Sequence, residues 1–205
     1  EEVINKNKDT KNYFICPIGI GIQNKGWHIN YLLVDFFNKE IERYEPNGNN
    51  NPYNYDYNSD LLDDNIQRFL NLYLNNYKYN RPIDFLPKIG IQTLASQDIH
   101  NKKITDPKGF CSIWSSWYID IRLSYKNISR KKIVKKMIKN ISKNKLTLKN
   151  LIRNYSENIV NMRDKIFLEE NINIDLWINE ELNENQFNKI IKKINNLIKN
   201  NIINI

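Results

Sequence analysis

The sequence predicts an α+β fold in a single domain, residues 1–205, with strands leading and helices following. Three observations carry this. Residues 13–22, Tyr-Phe-Ile-Cys-Pro-Ile-Gly-Ile-Gly-Ile, are β-branched and aromatic with an alternating pattern, and two similar runs follow before residue 46. From residue 129 to the end, apolar residues recur instead at three- and four-residue intervals, the period of a helix. Strands followed by a run of helices is the order of an α+β domain. With 205 residues, 40% of them hydrophobic, the chain is long enough for one well-buried core.

Taken in order, residues 13–22, 28–35 and 40–45 read as strands, the last two joined by a turn at Phe37-Asn38-Lys39. The Asn/Tyr-rich stretch 47–58 reads as a loop whose composition reflects coding bias rather than function. Ser59-Asp60 then caps a helix with Leu61, Leu62, Ile66, Phe69 and Leu70 on its apolar face. Ile89-Gly90-Ile91-Gln92 reads as a short strand, residues 95–109 as a polar loop, and Cys111 to Tyr125 as a helix. Ser129 and Thr147 are N-caps of helices in the tail.

The net charge of +8 permits an acidic or nucleic-acid partner without requiring one. Much of that charge lies in residues 130–139, where Val134 and Ile138 recur at helical spacing, so the lysines read as a solvated helix face. Two cysteines, Cys16 and Cys111, imply no disulfide framework and fit an intracellular setting. No apolar run reaches the roughly 20 residues of a membrane span, and no signal peptide is read at Glu1. Two histidines and two cysteines, far apart, make no metal site. No cofactor is implied, because Pro17–Ile22 lacks the Lys-Ser/Thr of a phosphate loop.

The chemistry concentrates in four places. His28 heads a strand, and Glu45 closes the next one, so a hairpin brings both to the same open end. Asp35 lies seven strand residues away, roughly 23 Å at about 3.3 Å per residue, too far to orient the ring. Cys111 opens a helix, where the dipole and free N–H groups favour a thiolate. Gly109 just before it permits an unusual turn. Cys16, inside an alternating strand, lacks that setting. A glutamine, Gln92 or alternatively Gln97, would donate to an oxyanion. His28 is thus the base, Glu45 its orienter and Cys111 the nucleophile. Trp27, beside His28, would wall a substrate cleft.

This order of His, acid, Gln and Cys resembles the superfamily of SUMO-deconjugating and adenovirus-type cysteine proteases. The segment from His28 through Val34-Asp35 to Ile41-Glu42-Arg43-Tyr44-Glu45-Pro46-Asn47-Gly48 is similar to that family's His-to-acid hairpin, over a likeness spanning about residues 13–125. The chain departs from it at Ile29, where the family has Trp, and at Ser112, where it has Gly after the nucleophile. The resemblance implies a papain-related fold: a small, mostly antiparallel sheet packed by helices, with residues 129–205 as a helical extension. It further implies a monomeric thiol peptidase that cleaves ubiquitin or ubiquitin-like conjugates after a Gly-Gly tail. A viral polyprotein protease, and an effector-type acetyltransferase binding inositol phosphate and coenzyme A, are the alternatives it offers. A non-catalytic binding module ranks last.

Overall fold

The computed structural model describes residues 12–22, 26–49, 57–97, 110–143 and 147–203. They fall into two compact units that divide between Ile152 and Arg153.

The first unit is built on a four-stranded sheet, β1 (Tyr13–Ile22), β2 (Gly26–Asp35), β3 (Glu40–Tyr44) and β4 (Lys78–Asn80), in that spatial order. The β1–β2 and β2–β3 pairs are antiparallel and β3–β4 is parallel, so the sheet is mixed. The turn between β2 and β3 is held by Asp35, which accepts from the Asn38 N–H at 2.9 Å and from Asn38 Nδ2 at 2.8 Å. Lys39 follows with φ of 52°.

Helices cover both faces of the sheet. On one lies α1 (Ser59–Asn71), N-capped by Asn58, whose Oδ1 accepts from the Leu61 N–H at 2.9 Å. Leu32, Val34, Phe36 and Ile41 form a buried core there with Leu70 and Leu74. On the other lies α4 (Cys111–Ser124), which buries Trp114, Tyr118 and Ile119. The Tyr118 ring stacks on Tyr44 of β3, centroids 3.9 Å apart and planes within 4°. Alternation along β3 therefore serves two cores at once. The helix α5 (Arg130–Lys143) buries Ile133, Val134 and Met137 and exposes Lys131, Lys132, Lys135, Lys136 and Lys139, so its positive face is solvated.

The expected strand at Ile89–Gln92 is not one. After the short α2 (Pro82–Phe85), Gly90 is the N-cap of a six-residue helix, α3 (Ile91–Ser96). The backbone donors that would have entered a sheet go elsewhere: Gly90 N–H to Asn47 O at 2.7 Å and Gln92 N–H to Pro46 O at 3.0 Å. The sheet instead takes its fourth strand from Lys78-Tyr79-Asn80, three residues too short to show a period. The loop expected at 95–109 and the residues before Cys111, including His100, Asp106 and Gly109, lie outside the described residues beyond Gln97.

A long helix, α6 (Leu148–Glu169), begins in the first unit, its N-terminus capped by Thr147, whose Oγ1 accepts from the Asn150 N–H at 3.2 Å. The second unit contains the rest of α6 with α7 (Ile174–Ile178) and α8 (Glu184–Ile203). It has its own core of Ile166, Phe167, Ile172 and Ile190. Eight helices in all are found among the described residues, none long and apolar enough to cross a membrane.

Candidate functional site

The β2–β3 hairpin sets the site. Its register pairs Tyr31 with Tyr44 and Leu32 with Arg43; continued, it sets Glu45 opposite Asn30, two residues along the strand from His28. Because side chains alternate, His28, Asn30, Arg43 and Glu45 share one face. The structure brings the predicted base and acid together: His28 Nε2 lies 2.8 Å from Glu45 Oε1 and 2.9 Å from Oε2, with both residues 2% exposed. Asp35 remains at the far turn, as its bonds to Asn38 require.

Glu45 is caged by further donors. Asn30 Nδ2 reaches Oε2 at 2.8 Å, and the Tyr57 hydroxyl reaches it at 3.0 Å. Oε1 accepts from the Asn47 N–H at 2.9 Å and from Asn47 Nδ2 at 3.1 Å. Burial alone would neutralise this carboxylate, but the His28 bond and charge, followed by the Asn47 and Asn30 donors, hold its pKa below the ordinary value. A carboxylate so satisfied stays ionised and fixed in direction.

Cys111 is the first residue of α4 and is half-buried. Burial, the largest single influence, would raise its pKa. The His28 hydrogen bond, the Ile29 and Ser112 backbone N–H groups and the His28 charge together outweigh it and lower the thiol below 9. Burial likewise disfavours the charged imidazole, yet bonds to Cys111 and Glu45 raise His28 to about 9. Nε2 is taken by the carboxylate, which leaves Nδ1 for the sulfur. The arrangement favours the thiolate paired with the imidazolium. Cys16, by contrast, sits on β1 with burial raising its thiol.

Behind Glu45 a second tier of polar groups is buried. Arg43 Nη1 donates to Asn30 Oδ1, while Arg43 Nε and Nη2 grip Asp63 of α1 at 2.7 and 2.8 Å. The Tyr79 hydroxyl adds a bond to Asp63 at 2.7 Å. Asn30, Arg43, Asn47 and Tyr57 were not among the residues the sequence singled out. The period of two was the available signal: Asn30 follows His28 by two and Arg43 precedes Glu45 by two.

The glutamines are placed differently from expectation. Gln92 is the second residue of α3, not the end of a strand, and its Oε1 is buried with no partner among the described residues. Gln97 is the exposed C-cap of the same helix, its N–H bonded to Thr93 O at 3.3 Å. Trp27 is 72% exposed. A methyl on Gly19 or Gly21 would approach its indole within 3.2 to 3.3 Å, so the ring lies over that glycine pair of β1. Among the described residues no cluster of His, Cys, Asp and Glu could hold a metal ion.

The fold and site thus define an α+β unit carrying a buried carboxylate–imidazole pair beside a helix-start thiol. Over 202 residues, 95% of its length, the chain is 39% identical to a protein of Acanthamoeba polyphaga mimivirus named as an ankyrin repeat protein. It spans about a quarter of that relative, 26% of the relative's length. No family profile and no solved structure matches the chain.

These findings correct the assignment drawn from the motif order. A relative this similar across nearly the whole chain is named for ankyrin repeats, not for proteolysis. The membership in the SUMO-deconjugating and adenovirus-type superfamily, the ubiquitin-like peptidase function with its polyprotein and acetyltransferase alternatives, and the thiol-protease class are therefore withdrawn. Of the associated descriptors, a viral connection fits the relative's source. The physical reason for the error is that His, acid and Cys at these spacings report a hairpin facing a helix start, which is scaffold geometry and not a reaction. Among the described residues the first unit rests on a sheet and is not a stack of two-helix repeats of about 33 residues.

Proposed function

We propose that this chain is a protein-binding module with an activated thiol at its contact surface. Cys111 is the nucleophile, His28 its proton partner, Glu45 the residue that aims the ring, and the Gln92 amide a donor at the same end of the sheet. The observation that carries the reading is the two-pronged Glu45–His28 contact, fully buried, beside a thiol whose pKa is drawn down. Ion pairs of this kind keep sulfur nucleophilic near pH 7. In an addition the sulfur's electron pair forms a bond to a carbonyl carbon of the partner, the carbonyl π pair moves onto its oxygen, and that oxygen takes the proton from His28.

The protein partner is supported by two features. Trp27 presents a flat, rigidly backed aromatic surface next to His28, the side-chain type enriched at interfaces. The mimivirus relative is named for repeats that, as a class, form extended binding surfaces. Two free cysteines and the exposed lysine face suit an intracellular setting. The order of strand His, acid after the hairpin and thiol at a helix start supports a papain-related arrangement as the reading of the scaffold.

The test is the pH profile of iodoacetamide alkylation, followed residue by residue by mass spectrometry from pH 5 to 10. Cys111 should react well below the range of an ordinary thiol, and Cys16 only above it. In His28→Ala the Cys111 profile should move up to meet that of Cys16. Matching profiles in the wild-type protein would dispose of the activated thiol.

A further inference from the structure

The buried polar tier behind Glu45 has a fixed sense of donation. A guanidinium has donors only, and an ionised carboxylate has acceptors only. Asn30 lies between one of each: Arg43 Nη1 on one side, and Glu45 Oε2 at 2.8 Å on the other. Its carbonyl must therefore face Arg43 and its amino group Glu45, and turning the amide over would set donor against donor and acceptor against acceptor. Asn30 and Arg43 are both 0% exposed, so water offers no substitute. Arg43 is in turn locked by the two-pronged bond to Asp63 of α1, which also accepts from Tyr79.

We infer that Asn30 is a positioning residue for the thiol site, and that the Arg43–Asp63 pair sets its amide so that the docking of α1 aims Glu45 at His28. This inference rests on the activated-thiol reading. The line runs from α1 through Asp63, Arg43, Asn30, Glu45 and His28 to Cys111. Without the Asn30 donor, Oε2 keeps Tyr57 and His28 among the described residues, and the carboxylate is freer to turn from the ring. Without the Arg43–Asp63 pair, the amide loses the group that decides its orientation. Neither Asn30 nor Arg43 meets a bound partner; both act through Glu45.

Two variants separate positioning from mere support of the fold. Asn30→Leu keeps the branched shape with somewhat greater bulk and removes both bonds. The double variant Arg43→Met, Asp63→Leu removes a buried pair without stranding either charge, an exchange that buried pairs often tolerate. Each is read by the pH profile of Cys111 alkylation with iodoacetamide, alongside thermal unfolding. The expected result in both is a rate lower by about 3- to 10-fold at pH 6.5 and unchanged at pH 10, the sign of a shifted thiol pKa rather than a damaged site. A folded variant of either kind with the wild-type profile would overturn the inference. A wild-type Cys111 that titrates like Cys16 would instead defeat the underlying reading. Should the variants not fold, hydrogen exchange of the Asn30 side-chain amide in the wild-type protein decides: strong protection supports the relay, and exchange as fast as a surface amide refutes it.

Discussion

Glu45→Gln removes one negative charge 2.8 Å from His28 Nε2 while keeping nearly the same shape. The imidazole stands at about 9, against 6.5 for an isolated ring. That difference corresponds to about 3 kcal/mol of preference for the cation. Cys111 and Glu45 supply it jointly against the opposing effect of burial. Removing that charge withdraws part of this preference, so thiolate formation at Cys111 should move to higher pH. Stability falls as well. Oε1 accepts two bonds from Asn47, and Oε2 accepts from Asn30 and Tyr57. Either placement of the new amino group thus faces an existing donor, at a cost of about 1–3 kcal/mol. At about 2–4 °C per kcal/mol for a domain of this size, Tm should drop by several degrees. The assay is iodoacetamide labelling from pH 5 to 10, with Cys16 as the internal reference. An unmoved Cys111 midpoint in a folded Glu45→Gln protein would refute the electrostatic argument, whatever happened to Tm.

Other perturbations probe the surroundings. Gly90→Ala should destabilise by about 3 kcal/mol or more in thermal unfolding, because its Cβ would fall 2.2 Å from Gly48 N and 2.4 Å from Pro46 O, backbone atoms that cannot swing aside. It should also slow Cys111 labelling, since that contact holds the turn whose Asn47 donates to Glu45. Tyr118→Phe removes a bond of 2.9 Å to buried Glu42 on the opposite face of the sheet. It should cost about 1–2 kcal/mol by denaturant titration and leave the labelling profile untouched. For His28 the folded pKa lies above the unfolded one, so its contribution is complete below about 6.5 and is lost as pH rises through about 9. Urea titrations at pH 6 and pH 9.5 should show a fall, and His28→Ala should flatten it.

How far the sequence disclosed this depended on the length of each signal. The ten residues of β1 and the periodic α1 declared themselves because each contains several repeats of its own period, although the N-cap of α1 is Asn58 and not Ser59-Asp60. Ile89–Gln92 has high strand propensity over four residues only, and the bonds from Gly90 and Gln92 to the Pro46–Asn47 turn decided for a helix. His28 and Glu45 were legible because a hairpin converts a spacing of 17 into a contact. Asn30 and Arg43 were not, since each looks like an ordinary strand residue until the facing partner is known. Function was the least legible part. Residue types in a given order say what chemistry a scaffold could hold, not which use it is put to.

Strand β3 also works as a charge-coded ruler. Glu42 faces α4 and α5, accepting from Tyr118 at 2.9 Å, from Arg122 at 3.3 Å and from Arg130. Its neighbour Arg43 faces α1 and Asp63. A slip of one residue against β2 would exchange the two faces. Glu42 would then meet the Asp63 carboxylate, and Arg43 would enter a space already holding Arg122 and Arg130. Two buried like-charge encounters would oppose that misalignment more sharply than any misfit of apolar shapes. Opposite charges on consecutive residues thereby make the pairing of this hairpin all-or-none, and with it the distance from Glu45 to His28.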